Sequence, residues 1–152
     1  MSGNKYEVAL DETWELFGQY MSGAHAGLCC VISSESLSEA AEKALDSSLA
    51  ALGYGHDACT FVVPGDLTQQ ALCVLGEGMD RVCIVAADGK SAALLGQAYR
   101  LAVPPGKATR LLGRTTVSFL DFESLLKTPQ DKQIAWAMLK KLPRFGDKRS
   151  WK

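Results

Sequence analysis

The apolar positions of this chain fall into short continuous runs that alternate with segments of helical spacing. The runs lie at residues 28–32, 59–63, 82–87 and 115–119, and each has the length of a strand buried on both faces. Helical spacing marks residues 12–23, 36–52, 67–75 and 91–101, and a last helix that begins near Pro129 and reaches Leu142. Strands that alternate with helices predict parallel βαβ units. The pattern therefore predicts a three-layer α/β/α fold around a mainly parallel sheet of about four strands.

Polar residues and glycines between these segments predict where the helices begin and end. Asp11 is the expected N-cap of the first helix. Ser36 and Glu39 have the spacing of a capping box before the second helix, with Ser38 as an alternative start. Gly76 is the expected end of the third helix. Residues 111–119 allow two interpretations, a fourth parallel strand or a β-hairpin around Gly113 and Arg114.

Length and composition indicate the general class of protein. The 152 residues, 47% hydrophobic and 22% charged, predict one globular domain over residues 1–152, with a basic and frayed tail over residues 143–152. Residues 1–20 lack a basic start followed by an apolar run, and no apolar segment reaches about 18 residues. We therefore expect a cytoplasmic location and no membrane partner.

Cysteine and histidine spacing indicates neither a disulfide framework nor a metal site. The five cysteines are odd in number and unpaired in spacing, which predicts reduced thiols that behave as small hydrophobic residues. His25 and His56, the two histidines, have no metal-ligating neighbour at suitable spacing. We expect no metal and no cofactor.

Charge is divided unevenly along the chain. Residues 1–80 carry 2 basic and 12 acidic residues, a net charge of −10, whereas residues 81–152 carry 14 basic and 5 acidic residues, a net charge of +9. A division of this kind suggests an anionic partner for the basic half. The alternative is that the two halves interleave in space and offset each other.

Candidate chemistry clusters where predicted strands end, because α/β proteins bind ligands at the carboxyl ends of their strands. A carboxylate pair there can divide acid and base work, and a helix that opens after a strand can bind an anion at its N-terminus. The alternative is that these residues are ordinary helix caps and turns. The catalytic candidates are Glu35, Asp121 and Glu123, and the ligand-binding candidates are Ser33, Ser34, Glu35, Asp88, Gly89, Lys90 and Ser91.

Basic residues around the predicted fourth strand are candidates for contacting nucleic acid. Arg100, Lys107, Arg110 and Arg114 lie within 15 residues of one another in the sequence and predict a phosphate-binding face if they share a surface. Scattered, solvated charge is the alternative.

Residues 82–96, VCIVAADGKSAALLG, have the pattern of a strand, a turn and a helix. They are similar to a strand-turn-helix of the uracil-DNA glycosylase superfamily, especially of its branch that carries an iron–sulphur cluster. Residues 113–142 resemble its closing unit, which has a strand, His-Pro-Ser, Leu-Leu, a proline and a helix with Lys, Trp and Leu. The matching positions here are Leu125, Leu126, Pro129, Lys132, Trp136, Leu139 and Leu142. A weaker likeness covers residues 39–63. The resemblance implies a sheet order of 2-1-3-4 and a binding crevice between the first and third strands.

The chain departs from that family at the positions that carry its chemistry. Asp121, Phe122 and Glu123 replace His-Pro-Ser, and an anionic Asp121 would oppose the charge that develops on a departing uracil. Ser33-Ser34-Glu35-Ser36 stands where the family has a Gly-rich motif of the Gly-Glu-x-Pro-Gly kind. Only Cys73 falls near a cluster-ligand position, so no iron–sulphur cluster is expected.

Three functions follow as hypotheses. The first is a non-catalytic glycosylase-like domain that binds a protein partner or nucleic acid, with a link to DNA metabolism. The second is a divergent DNA glycosylase or nucleotide-processing hydrolase that uses Glu35 and Asp121. The third is a binder of a small anion or nucleotide at residues 88–91.

Overall fold

A mixed sheet with helices on both faces forms the centre of the molecule. The computed structural model describes residues 5–79 and 81–143, and within them it has six strands and five α-helices. The strands are β1 (Met21–Gly23), β2 (Cys29–Ile32), β3 (Cys59–Val62), β4 (Cys83–Ala86), β5 (Ala108–Leu111) and β6 (Arg114–Ser118). The helices are α1 (Lys5–Phe17), α2 (Glu39–Ala51), α3 (Gln69–Met79), α4 (Gly89–Tyr99) and α5 (Pro129–Leu139), with 3-10 turns at Gly18–Tyr20 and Glu123–Leu126.

The strand order in the sheet is β1-β3-β2-β4-β6-β5. The inner strands β3, β2, β4 and β6 run parallel, and counted among themselves along the chain they have the order 2-1-3-4. The expected count of about four strands is wrong, because β1 and β5 add antiparallel edges that carry no clear apolar pattern. The strand order reverses between β2 and β4, so the crevice of an α/β sheet falls at the carboxyl ends of these two strands.

Alternate residues of each inner strand face opposite helical layers, as continuous apolar runs predict. Val31 and Val85 belong to the core beneath α2 and α5. Ile32 and Ile84 belong to the core beneath α1, α3 and α4. The two cores account for the three-layer arrangement of helices and sheet.

Three buried cysteines line up across the sheet. Cys29 pairs in register with Cys59 on one side and Cys83 on the other. Hydrogen bonding with these two thiols, together with burial, raises the pKa of Cys29, so its thiol stays protonated near neutral pH. All five cysteines are free thiols, and Cys73 alone among them is not fully buried, which confirms their prediction as unpaired and largely apolar residues.

The first helix differs from its prediction at both ends. Asp11 lies inside α1 rather than at its N-cap, because α1 already begins at Lys5 and ends at Phe17. Residues 21–23, predicted as the end of that helix, instead form β1 and pair antiparallel with β3. The bonds that define β1 come from a strand about forty residues away in sequence, so local spacing does not reveal them.

Two other helix boundaries also depart from their predictions. Gly76 lies inside α3, which continues to Met79. A Cβ atom at Gly76 would collide with the Tyr99 hydroxyl oxygen, so this glycine serves close helix packing rather than helix termination. The N-cap of α2 is Ser38, the alternative start, and its side chain accepts a hydrogen bond from the Ala41 N–H.

The region near Gly113 combines both interpretations of the sequence. β5 and β6 form a hairpin whose turn residues, Leu112 and Gly113, have φ angles of 50° and 87°. Positive φ at both central residues is the geometry of a tight type I′ hairpin turn. β6 also pairs parallel with β4 and is therefore the fourth parallel strand. Of the predicted basic tail, only Pro143 lies inside the described residues.

Candidate functional site at the carboxyl ends of the strands

Three segments converge where β2, β4 and β6 end. The loop after β2 carries Ser33, Ser34 and Glu35, and the loop after β4 carries Asp88 at the start of α4. The segment after β6 joins them, because the Phe122 N–H donates to the Ala87 carbonyl at 2.8 Å and the Gly89 N–H donates to the Leu120 carbonyl at 3.0 Å. The structure thus brings together the candidates that the sequence placed at strand ends.

The carboxylate of Asp88 fills the point where the strand order reverses. Its Oδ1 accepts a hydrogen bond of 2.7 Å from the Ser91 N–H, which is the N-cap bond of α4. Its Oδ2 accepts from both the N–H and the hydroxyl of Ser34, at 3.0 and 2.9 Å. A free anion bound at this helix N-terminus would use the same donors. Asp88 is therefore an internal anion in the place where an external one would bind.

The ionisation of Asp88 follows from these contacts. Partial burial by itself would raise its pKa, but the hydrogen bonds from Ser34 and Ser91 outweigh it and hold the pKa below the ordinary value. The carboxylate is thus charged near neutral pH and accepts rather than donates. A general acid at this position would need the opposite shift.

The other ligand-binding candidates divide into buried and exposed side chains. Ser33 and Ser91 are buried, and both hydroxyls donate to backbone carbonyls, those of Glu35 at 2.7 Å and Asp88 at 2.9 Å. Glu35 and Lys90 are exposed, and Gly89 is half-buried. The serines therefore shape the loops, whereas the side chains of Glu35 and Lys90 are open to solvent.

Asp121, Phe122 and Glu123 have three separate roles in the structure. Phe122 is 1% exposed and packs edge-to-face on Phe119, with ring centroids 5.1 Å apart. Glu123 accepts two hydrogen bonds from Ser38, from its N–H at 2.9 Å and its hydroxyl at 2.6 Å, and so fixes the start of α2. Asp121 is exposed, and its side chain lines a groove of about 330 Å³ along α5. Only Asp121 of the three keeps an exposed carboxylate outside these contacts.

The basic candidates do not share one face of the sheet. Arg114 forms a bidentate ion pair with Glu77, with nitrogen–oxygen distances of 2.8 and 3.3 Å, on the α3 side. Arg110 is exposed and pairs with Thr115, one residue out of phase with the Leu111–Arg114 pair, so it lies on the α5 side. Arg100 caps α4 at a φ of 57°, and Lys107 lies in the loop before β5.

A second concave site lies at the opposite end of the sheet. A groove of about 520 Å³ is lined by Asp46 of α2, by Asp57 in the loop before β3 and by His25 in the loop after β1. Sequence reasoning missed it because these residues come from three separate segments with no motif spacing. The acidic character of the first half of the chain was the one signal that pointed there.

Comparison with protein-family models and with curated proteins finds no match for the chain. Among the described residues, no three histidine, cysteine or acidic side chains are placed to hold a metal ion. None of the helices in that part of the chain is both long and apolar enough to cross a membrane.

Proposed function

We propose that this chain is a non-catalytic domain of the uracil-DNA glycosylase type that acts as a binding or protein-interaction module. The observation that carries the proposal is the position of the Asp88 carboxylate. It consumes the N–H groups of Ser34 and Ser91, which a nucleotide or a developing oxyanion would need at the strand switch point. The domain would then contribute to DNA metabolism by binding a partner molecule.

Glu123 and Phe122 support the same proposal. Glu123 spends its carboxylate on Ser38, and Phe122 belongs to the core beneath α2 and α5. The two residues thus stabilise the junction between β6 and α2. Of the catalytic candidates, Glu35 and Asp121 remain as exposed carboxylates without a histidine beside them to stabilise a departing base.

The test is excision of uracil from single- and double-stranded DNA by the purified chain. We expect no excision above a protein-free blank, and no difference between the wild type and Glu35→Ala. Excision that Glu35→Ala abolishes would overturn the proposal in favour of a divergent glycosylase. Asp121→Ala is the matched variant that separates the two exposed carboxylates.

A thermal-shift measurement with inorganic phosphate tests the small-anion alternative. We expect phosphate to leave the wild-type melting temperature unchanged, because Asp88 already occupies the donors. Asp88→Ala frees them, so phosphate should raise its melting temperature, whereas Asp121→Ala should show no such gain. A phosphate-induced rise in the wild type that Lys90→Ala removes would instead establish an anion site at residues 88–91.

A further inference from the structure

The groove at the amino ends of the strands combines acidic walls with an apolar floor. Asp46 lies on one wall and Asp57 on another, while Cys59 and Phe61 of β3 form the floor. Its volume of about 520 Å³ is large enough for several side chains. The groove therefore suits an extended segment that carries both positive charge and an aromatic ring.

The wall formed by the loop after β1 is held in place by hydrogen bonds. The Trp14 indole N–H and the Arg81 guanidinium both donate to the His25 carbonyl, at 2.8 and 2.9 Å. The Thr60 hydroxyl donates to the Ala24 carbonyl at 2.6 Å. The concave shape is thus fixed by the fold before any ligand enters, which lowers the entropy cost of binding.

The groove lacks a donor for one of its carboxylate oxygens. Within the described residues, the buried Oδ1 of Asp46 has no hydrogen-bond partner. Burial raises the pKa of the neighbouring Glu42, and repulsion from Asp46 and Glu39 raises it further. These carboxylates together give this side of α2 a negative potential. A cationic group in the groove would be attracted by the Asp46 carboxylate and would reduce that negative potential.

The chain itself supplies such a donor close by. The Tyr54 hydroxyl donates to the Pro143 carbonyl at 2.6 Å, so the chain leaves α5 beside the loop that carries Asp57 three residues later. The nine residues that follow, RFGDKRSWK, carry four basic side chains, one acidic side chain and two aromatic rings. Nine residues can extend about 30 Å, which is ample for a groove on this side of the same loop.

We propose that residues 144–152 dock in cis in this acidic groove. Basic side chains of the segment donate to the carboxylates of Asp46 and Asp57, and an aromatic ring covers Cys59 and Phe61. The basic end of the chain thereby neutralises part of its acidic half. Docking of residues 144–152 does not depend on whether the carboxyl-end crevice is catalytic, so an excision assay does not test it.

The first experiment compares amide NMR spectra of the full chain with those of a full-length variant in which Arg144, Lys148, Arg149 and Lys152 are all glutamine. We expect shift changes at Gly23, Ala24, Asp57 and Phe61, and little change at Ser34 and Asp121 at the other end of the sheet. Added salt should shrink these differences, since it screens the ion pairs. Spectra that agree throughout the groove would overturn the proposal. Changes that depend on protein concentration would also overturn it, because they would indicate docking between two copies.

The second experiment adds a labelled peptide of residues 144–152 in trans to that glutamine variant and follows fluorescence anisotropy. The added changes Asp46→Asn and Asp57→Asn should weaken peptide binding about tenfold. Glu35→Gln with Asp121→Asn removes the same charge at the opposite end and should leave binding within about twofold. Equal weakening by both pairs, or no saturable binding, would overturn the proposal. A peptide with its four basic residues replaced by glutamine needs no folded variant and should not bind.

Discussion

The two ends of the sheet use their carboxylates in opposite ways. At the carboxyl ends of the strands, Asp88 accepts three hydrogen bonds and joins the loop after β2 to α4. Glu123 accepts two hydrogen bonds and joins the segment after β6 to α2. At the amino ends, Asp46 has a buried oxygen without a donor in the described residues, and Asp57 is exposed beside a groove. A carboxylate whose oxygens accept hydrogen bonds from neighbouring loops is part of the scaffold, whereas carboxylates that line an open groove can attract a cationic ligand.

This difference also reverses the usual expectation for an α/β sheet. Ligands normally bind at the carboxyl ends of the strands, where loops and helix N-termini present free N–H groups. Here the Asp88 carboxylate already accepts the hydrogen bonds of the Ser34 N–H and hydroxyl, so these donors are not free for a ligand. The acidic groove instead lies at the amino ends of the strands, where α/β proteins do not usually bind ligands.

The largest expected effect is that of removing the carboxylate of Asp88. Asp88→Ala loses the N-cap of α4 and leaves the N–H groups of Ser34 and Ser91 without their acceptor, so we expect the free energy of unfolding to fall by about 2–4 kcal/mol. Urea denaturation measures it. The control is Asp121→Ala, which removes the exposed carboxylate of the residue opposite Asp88 in an isolated β-bridge, and it should change stability by no more than about 0.5 kcal/mol. Equal effects of the two variants would contradict a scaffold role for Asp88.

A smaller effect is expected at the second carboxylate of that end. Glu123→Ala removes both acceptors of Ser38, and we expect a loss of about 1–2 kcal/mol in the free energy of unfolding. A double-mutant cycle with Ser38→Ala should give a coupling energy of about 0.5–1.5 kcal/mol. The same cycle with the exposed Ser36→Ala is the control and should give no coupling. Coupling that is absent for Ser38 would mean that the two hydrogen bonds do not contribute to stability.

The pH dependence of stability separates Asp88 from the other acidic residues. Its folded-state pKa is lowered, so its contribution is fully present above the unfolded value near pH 4 and is lost as the pH falls through the folded pKa. The stability difference between wild type and Asp88→Asn should therefore be constant above about pH 5 and should narrow below about pH 4. Denaturation curves recorded at stepped pH values measure the difference. A gap that widens on acidification would show that the pKa shift has the opposite sign.

The smallest effect, and one of opposite sign, is expected in the groove. Asp46→Ala removes a carboxylate with an unsatisfied oxygen and introduces a better helix former, so it should raise the free energy of unfolding by about 0.5 kcal/mol in the chain with the glutamine tail. Ser47→Ala, at the next position of α2 and exposed, corrects for helix propensity. In the chain with its native tail the gain should be smaller, because docking would be lost. Marked destabilisation by Asp46→Ala in the glutamine-tail chain would show that this carboxylate belongs to the scaffold.

Local pattern was enough to predict the inner strands and the later helices. Continuous runs of β-branched and apolar residues have few alternatives to a buried strand, and Pro129 lies at the start of α5, where its missing N–H is tolerated. The edge strand β1 escaped prediction because it is only three residues long, and β5, which only the hairpin interpretation allowed, alternates weakly. Gly76 was misinterpreted because its neighbour Tyr99 comes from a different helix.

The sequence predicted where the candidate residues lie in the sheet, but not which groups their carboxylates contact. Sequence placed Ser34, Asp88 and Glu123 at strand ends, and the structure brings them to the same edge of the sheet. Whether these carboxylates are free for a ligand depends on hydrogen bonds from distant residues. Ser34 and Asp88 are 54 positions apart in the sequence, and Ser38 and Glu123 are 85 positions apart. No local spacing encodes these pairs.

Residue types and their local order are enough to predict the alternation of strands and helices, the free thiols of the interior and the unequal division of charge. These properties depend on residue type and on neighbours within one or two turns, where hydrophobic burial and helix capping act. The hydrogen bonds that occupy Asp88 in the crevice, and the open groove that Asp46 and Asp57 line, follow from tertiary packing. Each carboxylate depends on donors from distant parts of the chain, and packing between elements sets which donors come within hydrogen-bond distance.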